Sequence, residues 1–290
     1  MVPSVNGEED LLVCLEALEA QRRDVRLEVL VADRCGDDLR ATVTQRFPWA
    51  RILPAAPGTT IPQLRAMAFA AASADAVAVI EDHVIVPPGW AAALLGAMRG
   101  GAAVVGGAVE NAATDRVVDW AAFLCEYSHC LQPLPAGPST WLTGNNVVYR
   151  KDLLERHRAV TESGQWENHL HDALRAEGVT LLCRPDITVG HRKHYTIRQY
   201  LSQRYLFARS YAGARAVGAS LPRRLAYGVA ALALPPLLGF RIVSRVVAKK
   251  RHRRELLRSI PLLAVFVTAW AAGEAVGYVT GAGDSLARVR

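Results

Sequence analysis

Strand-like apolar runs and helix-like apolar spacings alternate along the first part of the chain. Apolar residues recur at helical spacing after an acidic first turn at residues 8–10, and residues 26–32 alternate between polar and apolar before an apolar end, which is typical of a strand. The same order repeats, with a helix predicted at 38–47, a short strand at 51–53 and an Ala-rich helix at 62–72. This βα order predicts a parallel, doubly wound sheet.

The run at residues 76–80 is almost entirely apolar and ends in Glu81-Asp82-His83. A run of this length, bounded by a helix and by the Pro87-Pro88-Gly89 turn, predicts a central strand covered on both faces. Ligands bind outside the carboxyl ends of such strands, and an acidic tip there suits a divalent cation that carries substrate phosphates. The alternative is a strand end that simply meets solvent.

Further elements are predicted beyond this tip. They are helices at 90–98, 119–130, 166–177 and 195–214, and strands at 102–109 and 179–183. The last of these helices ends near residue 215, and the α/β domain is predicted to cover residues 1–215.

Two uncharged apolar runs, 225–240 and 259–273, follow that domain. Each is shorter than the roughly 20 residues that span a bilayer. The segment between them is the most basic in the chain, which favours a cytosolic position, yet a two-pass hairpin would then place the first 215 residues outside. The prediction is therefore a membrane-associated, mostly non-crossing helical region over 216–290. A crossing hairpin that overrules the charge bias and two buried helices of a soluble domain are the alternatives.

Composition agrees with a soluble domain followed by membrane-seeking segments. Hydrophobic residues make up 51% of the 290-residue chain, and the net charge is +7. Because the basic residues adjoin the apolar C-terminal runs and few aromatics interleave with them, anionic lipid is the expected partner, and nucleic acid is not. Five scattered cysteines without a CxxC pair support neither a disulfide framework nor a zinc ribbon. No secretory signal pattern precedes the first element.

Several short motifs occur in a fixed order along the domain. They are Val2-Pro3-Ser4-Val5-Asn6 with Glu8 nearby, Asp33 after the second strand, Gln63-Leu64-Arg65-Ala66, Glu81-Asp82-His83, Thr143-Gly144-Asn145-Asn146, Trp166-Glu167-Asn168 and His191. Together they resemble the inverting family 2 glycosyltransferases of the GT-A fold, a Rossmann-like, doubly wound mixed sheet. The resemblance covers roughly residues 2–210.

The resemblance implies a nucleotide-sugar site near the N-terminus. Its residues would be Pro3, Asn6 and Glu8 of the opening segment, Asp33 at the base, and Arg65 supporting the nucleotide and diphosphate. Glu81 belongs to the same group. An exposed helix position is the alternative for Arg65.

A metal site and a catalytic base are implied as well. Asp82, His83 and His191 would hold Mn²⁺ or Mg²⁺ on the diphosphate, so Asp82 is both a metal ligand and a catalytic residue. Glu167 would be the base. His83 stands where the family has Asp, and imidazole favours Mn²⁺ or another transition ion. A helix-terminal acid is the alternative for Glu167, and a structural histidine is the alternative for His191.

The acceptor side is implied to comprise Thr143, Gly144, Asn145, Asn146 and Trp166. The implied function is that of an inverting hexosyltransferase that moves a sugar from a nucleotide-diphosphate sugar to a hydroxyl of a lipid-linked or envelope glycan. Its catalytic domain would lie on the cytoplasmic side of the cell membrane. A non-catalytic, membrane-associated nucleotide- or glycolipid-binding relative is the competing hypothesis. A nucleotidyltransferase is disfavoured because no Gly/Lys-rich phosphate loop is present near the N-terminus.

Overall fold

The computed structural model describes residues 1–290 and separates into two compact units. The first unit comprises Met1–Ala112 and Cys130–Arg192, and the second comprises Ala113–His129 and Lys193–Arg290. The predicted boundary at residue 215 differs from this grouping, because the helix that ends at Arg215 packs with the C-terminal helices. As a division of function, the boundary at 215 stays a prediction.

All nine strands belong to the first unit. They are β1 (Val2–Ser4), β2 (Val29–Asp33), β3 (Ala50–Pro54), β4 (Ala76–Val79), β5 (Val84–Ile85), β6 (Val104–Asn111), β7 (Gly137–Ser139), β8 (Val147–Arg150) and β9 (Leu181–His191). One sheet is the parallel array β1-β2-β3, and the other has the order β4-β8-β6-β9-β5, with β7 against β9. The amide of Ile80 donates to the carbonyl of Met1, which joins the edges of the two sheets beside β4.

Seven helices complete the first unit. They are α1 (Glu8–Gln21), α2 (Asp37–Arg46), α3 (Ile61–Ala71), α4 (Trp90–Arg99), α6 (Lys151–Arg156), α7 (Arg158–Glu162) and α8 (Glu167–Ala176). The alternation of strand and helix up to β4 confirms the α/β architecture predicted from the apolar pattern. Antiparallel pairing of β8 with β4 and β6 makes the second sheet mixed.

Strand β9 is much longer than the predicted strand at 179–183. It pairs with β6 over Leu181–Cys183 and resumes at Thr188, with a register shift between Gly106 and Ala108 of β6. The shift absorbs Pro185, which has no amide to give to a ladder. The second part of β9 then carries His191 to the carboxyl end of the sheet.

The second unit is helical. It consists of α5 (Val117–Tyr127), α9 (Ile197–Arg215), α10 (Leu221–Ala230), α11 (Leu234–Lys249) and α12 (Arg253–Thr280). Its core is a cluster of buried side chains from three of these helices and the segment before α9: Val118, Ala121, Ala122, Tyr195, Tyr200 and Phe266.

Two helical stretches of the second unit, Leu221–Lys249 and Arg253–Thr280, are long and apolar enough to cross a membrane by length and composition. Both helices are longer than the uncharged runs 225–240 and 259–273, because they continue through charged residues at their ends. Only 17% of the first apolar window and 39% of the second are buried within the chain. That exposure argues against two ordinary core helices of a soluble domain.

Candidate metal centre and active site

Asp82 holds the loop after β1 in place. Its carboxylate is fully buried, and Oδ2 accepts hydrogen bonds from the backbone amides of Val5 (2.8 Å) and Asn6 (2.9 Å). Oδ1 accepts from the Asn6 side chain at 2.6 Å and lies 2.9 Å from Nδ1 of His83. Because its own chain occupies both oxygens, the structure presents Asp82 as an anchor for this loop and for His83, and does not bring it into the metal-ligating group.

Glu81, His83 and His191 form that group, with their ligand atoms all within 4.8 Å of one another. Nε2 of His83 lies 3.0 Å from Nε2 of His191 and 3.3 Å from Oε2 of Glu81. Two ligands at right angles around an ion, each bonded at about 2.1 Å, are about 3.0 Å apart. The three side chains therefore fit a single ion, and two imidazoles with one carboxylate suit a transition metal better than Mg²⁺.

Electrostatics at this point favour a positive charge. Burial opposes the charged form of His83, but hydrogen bonds to Asp82 and Glu81 outweigh it and raise the pKa of His83 to about 10. Burial raises the pKa of Glu81, yet the hydrogen bond and charge of His83 prevail and bring that pKa to about 2. The two carboxylates on either side of His83 thus stabilise a positive charge on its imidazole ring.

Arg65 connects the metal-ligating group to Glu167. The helix α3 that carries Arg65 begins with a capping box between Thr60 and Gln63, which fixes where the helix starts. Nη1 of Arg65 donates to Oε2 of Glu167 at 2.6 Å, and Nη2 lies 3.5 Å from Oε1 of Glu81. Arg65 is 6% exposed, so the exposed-helix alternative is wrong.

Glu167 lies in the first turn of α8, where the helix dipole favours a carboxylate. Its side chain keeps 21% exposure, and the ring of Trp166 lies 5.9 Å from the Arg65 guanidinium carbon. Glu167 is therefore both an acid at a helix N-terminus and a neighbour of Arg65, because the start of α8 borders the site.

The loop before β8 contributes one asparagine to the site and keeps the next inside the sheet. Nδ2 of Asn145 lies 3.4 Å from Oε2 of Glu81, and Thr143 Oγ1 donates to Oδ1 of Asn145 at 2.6 Å. Asn146 is fully buried; its Oδ1 accepts from Trp90 Nε1, and its Nδ2 donates to two backbone carbonyls. The geometry therefore gives Asn146 a structural position, away from the acceptor side where the resemblance placed it.

The remaining predicted residues lie on β1, in the loop after it, at the end of β2 and at the start of α1. Asp33 is buried, and its carboxylate accepts from the Ser4 hydroxyl and pairs with Arg40, both at 2.8 Å. Pro3 is the buried centre of β1, and Glu8 is exposed at the start of α1, outside this network. Asn6 is the member of the opening segment that reaches the metal-ligating group, 3.1 Å from His83 Nδ1.

Tyr149 is a site neighbour that the motifs did not indicate. It lines a pocket together with Arg65, Gly144, Trp166 and Glu167. Its hydroxyl lies 2.7 Å from Nε2 of His171, and burial lowers the pKa of His171 to about 4, so this imidazole is neutral. His171 lies four residues after Glu167, on the same face of α8, but its hydrogen bond is to Tyr149. The sequence feature that could have indicated Tyr149 is its position on β8, the strand that directly follows the Thr143–Asn146 motif.

Gly144 is expected to tolerate no side chain. A Cβ there would lie 2.5 Å from Cδ of Glu167 and 2.9 Å from Nη1 of Arg65. We expect Gly144→Ala to displace this ion pair and to lower kcat about 100-fold, the cost of a misplacement near 1 Å. Gly96→Ala is the matched control, because its Cβ would meet nothing within 4 Å and should leave kcat unchanged. Equal kcat values for the two variants would refute the close packing.

Comparisons with known proteins address the family and the fold of the chain. The family model described as Glycosyl transferase family 2 matches residues 1–158. No curated protein matches the sequence. Among solved structures, the mannosyltransferase PcManGT from Pyrobaculum calidifontis, in complex with GDP-Man and Mn²⁺, superposes with a TM-score of 0.55 at 16% identity, covering 94% of this chain and 85% of its own. The similarity confirms the predicted GT-A fold with apolar C-terminal helices.

Proposed function

The chain belongs to glycosyl transferase family 2, and from this premise we propose that it moves a hexosyl group from a nucleotide-diphosphate sugar to an acceptor hydroxyl with inversion. The observation that carries the proposal is the connection made by Arg65. One guanidinium lies between Glu81 of the metal-ligating group and Glu167. A site for a diphosphate and a site for a base are thus separated by a single side chain.

On the donor side, Glu81, His83 and His191 would hold the divalent cation, with Glu81 taking the place that the sequence gave to Asp82. When bound, such a cation offsets the charge that develops on the leaving diphosphate. Mn²⁺ agrees with the two imidazoles, and the mannosyltransferase neighbour holds Mn²⁺ together with GDP-Man. Asp33, Pro3 and Asn6 remain the proposed nucleotide contacts, with Glu8 at the rim.

Arg65 would exchange partners when the donor arrives. A diphosphate offers it a bidentate, doubly charged partner, which a guanidinium prefers to a single carboxylate oxygen. Transfer of Arg65 from Glu167 to the diphosphate leaves the carboxylate of Glu167 free for the acceptor. Donor binding would therefore precede and permit acceptor activation.

Glu167 would be the general base. Its carboxylate takes the proton of the acceptor hydroxyl while that oxygen forms a bond to the anomeric carbon. The bond from the same carbon to the diphosphate oxygen breaks, and the diphosphate leaves with its electron pair. Thr143, Gly144, Asn145 and Trp166 border the side from which the acceptor would approach.

The acceptor would be a lipid-linked or envelope glycan, with the catalytic domain on the cytoplasmic side of the cell membrane. Two helical stretches that are long and apolar enough to cross a membrane support the membrane location. Nucleotide sugars are made in the cytosol of cells, which supports the proposed side.

The decisive experiment measures nucleoside diphosphate release from a panel of nucleotide sugars, with Mn²⁺, with Mg²⁺ and with EDTA. We expect release from one donor, and we expect it to depend on the ion. Tight binding of a nucleotide sugar without any release, with or without added glycolipid, would favour the non-catalytic relative.

Loss of one imidazole should weaken the metal site directly. We expect His191→Ala to raise the Kd for Mn²⁺ at least about 100-fold, since losing even an outer-shell partner costs about 10- to 100-fold. Electron paramagnetic resonance of free Mn²⁺ measures this without any turnover. His169→Ala, at an exposed position on α8, is the control and should bind as the unaltered chain does. Unchanged affinity in His191→Ala would remove His191 from the site.

A further inference from the structure

The exposed apolar side chains of this protein are concentrated in one segment. Of fifteen large hydrophobic residues that are exposed, all but Val117 and Ile197 lie between residues 217 and 279. Among them, Leu232 is 69% exposed and Phe240 is 71% exposed. Thirteen exposed apolar side chains gathered in one segment indicate an interaction site, because exposed apolar residues are ordinarily scattered singly over a surface.

Positive charge is concentrated in the same segment. Residues 221–273 contain ten Lys and Arg residues against one acid, Glu255, a net charge of +9. The whole chain carries +7, so the remaining residues together carry −2. The charge is therefore a local property of this segment, and its complement is an anionic surface.

The turn between α11 and α12 displays much of this charge. Lys250 and His252 have left-handed backbones, with φ of 58° and 54°, and this interrupts the helix. Lys250, Arg251, Arg253 and Arg254 are all exposed around it. Nearby, burial and then the charges of Arg245 and Lys249 lower the pKa of His129 to about 4, which reflects a positive local potential.

The position of the charges sets the depth of insertion. The uncharged runs are 16 residues (225–240) and 15 residues (259–273), or about 24 Å and 22 Å of helix. The hydrocarbon core is about 30 Å thick. Exposed Arg241 and Arg245 follow the first run within α11, and exposed Arg258 precedes the second. The second run ends at Glu274, which is buried and accepts a hydrogen bond from Trp270, so the first run sets the limit. Crossing by the first helix would take a charge such as Arg241 into hydrocarbon, whereas helices lying in the plane keep the arginines at the headgroups.

We propose that residues 217–279 form an interfacial surface that inserts its apolar side chains into one leaflet of a bilayer containing anionic phospholipids, with the helices in the plane of the membrane. This inference rests on the membrane association proposed above and specifies its lipid and its geometry. Leu232, Phe240 and Leu257 enter the acyl region, and the arginines around them bind lipid phosphates. The buried side of α12, which includes Leu263, Phe266 and Val267, faces protein.

Vesicle binding by the full chain tests the choice of lipid. Phosphatidylcholine vesicles are compared with vesicles containing 30% phosphatidylglycerol, at low and high salt. We expect at least about tenfold tighter binding to the anionic vesicles at low salt, and we expect the preference to shrink as salt screens the charges. Equal binding to both vesicles would overturn the proposal.

Charge reversal locates the surface. We expect the Arg241→Glu, Arg245→Glu pair to lose about 25-fold or more in affinity for the anionic vesicles. The pair Arg23→Glu, Arg99→Glu changes net charge equally at exposed positions of the first unit and should lose less than about threefold. Equal losses in the two pairs would show that net charge alone acts. Nucleoside diphosphate release in detergent should be unchanged in all four reversals, so a failure of this proposal is separable from a failure of the proposed activity.

Depth measurements decide between in-plane and crossing helices. An environment-sensitive probe is attached to the new cysteine of Leu232→Cys or of Phe240→Cys, and its quenching by brominated phospholipids reports its depth. Free native cysteines that react with the probe are labelled as well, so the signal of the labelled parent chain is subtracted. Leu232 lies in the 3₁₀ turn between α10 and α11, eight residues before Phe240, and the two positions are about 12 Å apart along the helical stretch Leu221–Lys249. In-plane helices should give depths that differ by less than about half that distance. A larger difference would show that the helix crosses, and would overturn the proposed geometry.

Discussion

Turnover by the Glu167→Gln variant is expected to fall about 10²- to 10⁴-fold, the contribution typical of a positioned general base. Gln has nearly the same shape and keeps an oxygen that Arg65 can bind, but it cannot accept the acceptor's proton at neutral pH. The 2.6 Å contact to Nη1 of Arg65 becomes a bond to a neutral amide and weakens. The Kd for the nucleotide sugar should therefore be unchanged or slightly lower, because Arg65 is freer to bind the diphosphate.

Separate measurements of kcat and donor Kd distinguish a base from a structural residue. Glu162→Gln, on α7 and paired with Arg158, is the matched control and should leave both constants unaffected. A Glu167→Gln variant that keeps near-normal kcat would exclude this carboxylate as the base. A large rise in donor Kd would instead show that Glu167 acts by positioning Arg65.

The Asp82→Asn variant is expected to lose about 3–5 kcal/mol of unfolding free energy, the range for removing one partner of a buried, charged network. Each oxygen of the Asp82 carboxylate faces hydrogen-bond donors: the backbone amides of Val5 and Asn6 on one side, and the Asn6 side chain and His83 on the other. In the Asp82→Asn variant the NH₂ group, itself a donor, replaces one of these oxygens and therefore faces one of the two pairs of donors. At least one buried hydrogen bond is lost in either orientation. His83 also loses the charge that holds it.

Urea unfolding of the purified full chain measures this effect, with the midpoint and the slope fitted separately. Asp38→Asn is the control, since Asp38 is exposed in the first turn of α2, and a change within about 0.5 kcal/mol is expected there. If the two variants unfold alike while Asp82→Asn abolishes Mn²⁺ binding, Asp82 is a metal ligand after all and the anchoring role is wrong.

Local patterns were sufficient for the alternation of strand and helix up to β4, but they did not predict β8, whose antiparallel pairing makes the second sheet mixed. The apolar run before Glu81 and the helical spacings around it predicted β4 and its neighbours because both are properties of a few consecutive residues. The order of the motifs predicted the family, which the match over residues 1–158 confirms. The uncharged runs predicted two apolar helices, although not their full length, because a helix continues through charged residues wherever one face stays apolar.

What the sequence by itself determined, then, was which segments of this chain meet at the carboxyl ends of the strands. It did not determine which residue of each segment faces the site. Glu81 and Asp82 lie in the short connection between β4 and β5, and Asn145 and Asn146 lie in the turn before β8. No regular alternation of side chains holds in such segments, so the sequence does not tell which neighbour faces the cleft. Tertiary packing decided both cases. The Asp82 carboxylate accepts hydrogen bonds from amides of the loop after β1, and the Asn146 side chain donates hydrogen bonds to carbonyls of β6 and β9. These hydrogen-bond partners lie between 38 and 77 residues away from Asp82 and Asn146 along the chain, so no pattern of neighbouring residues could have predicted them.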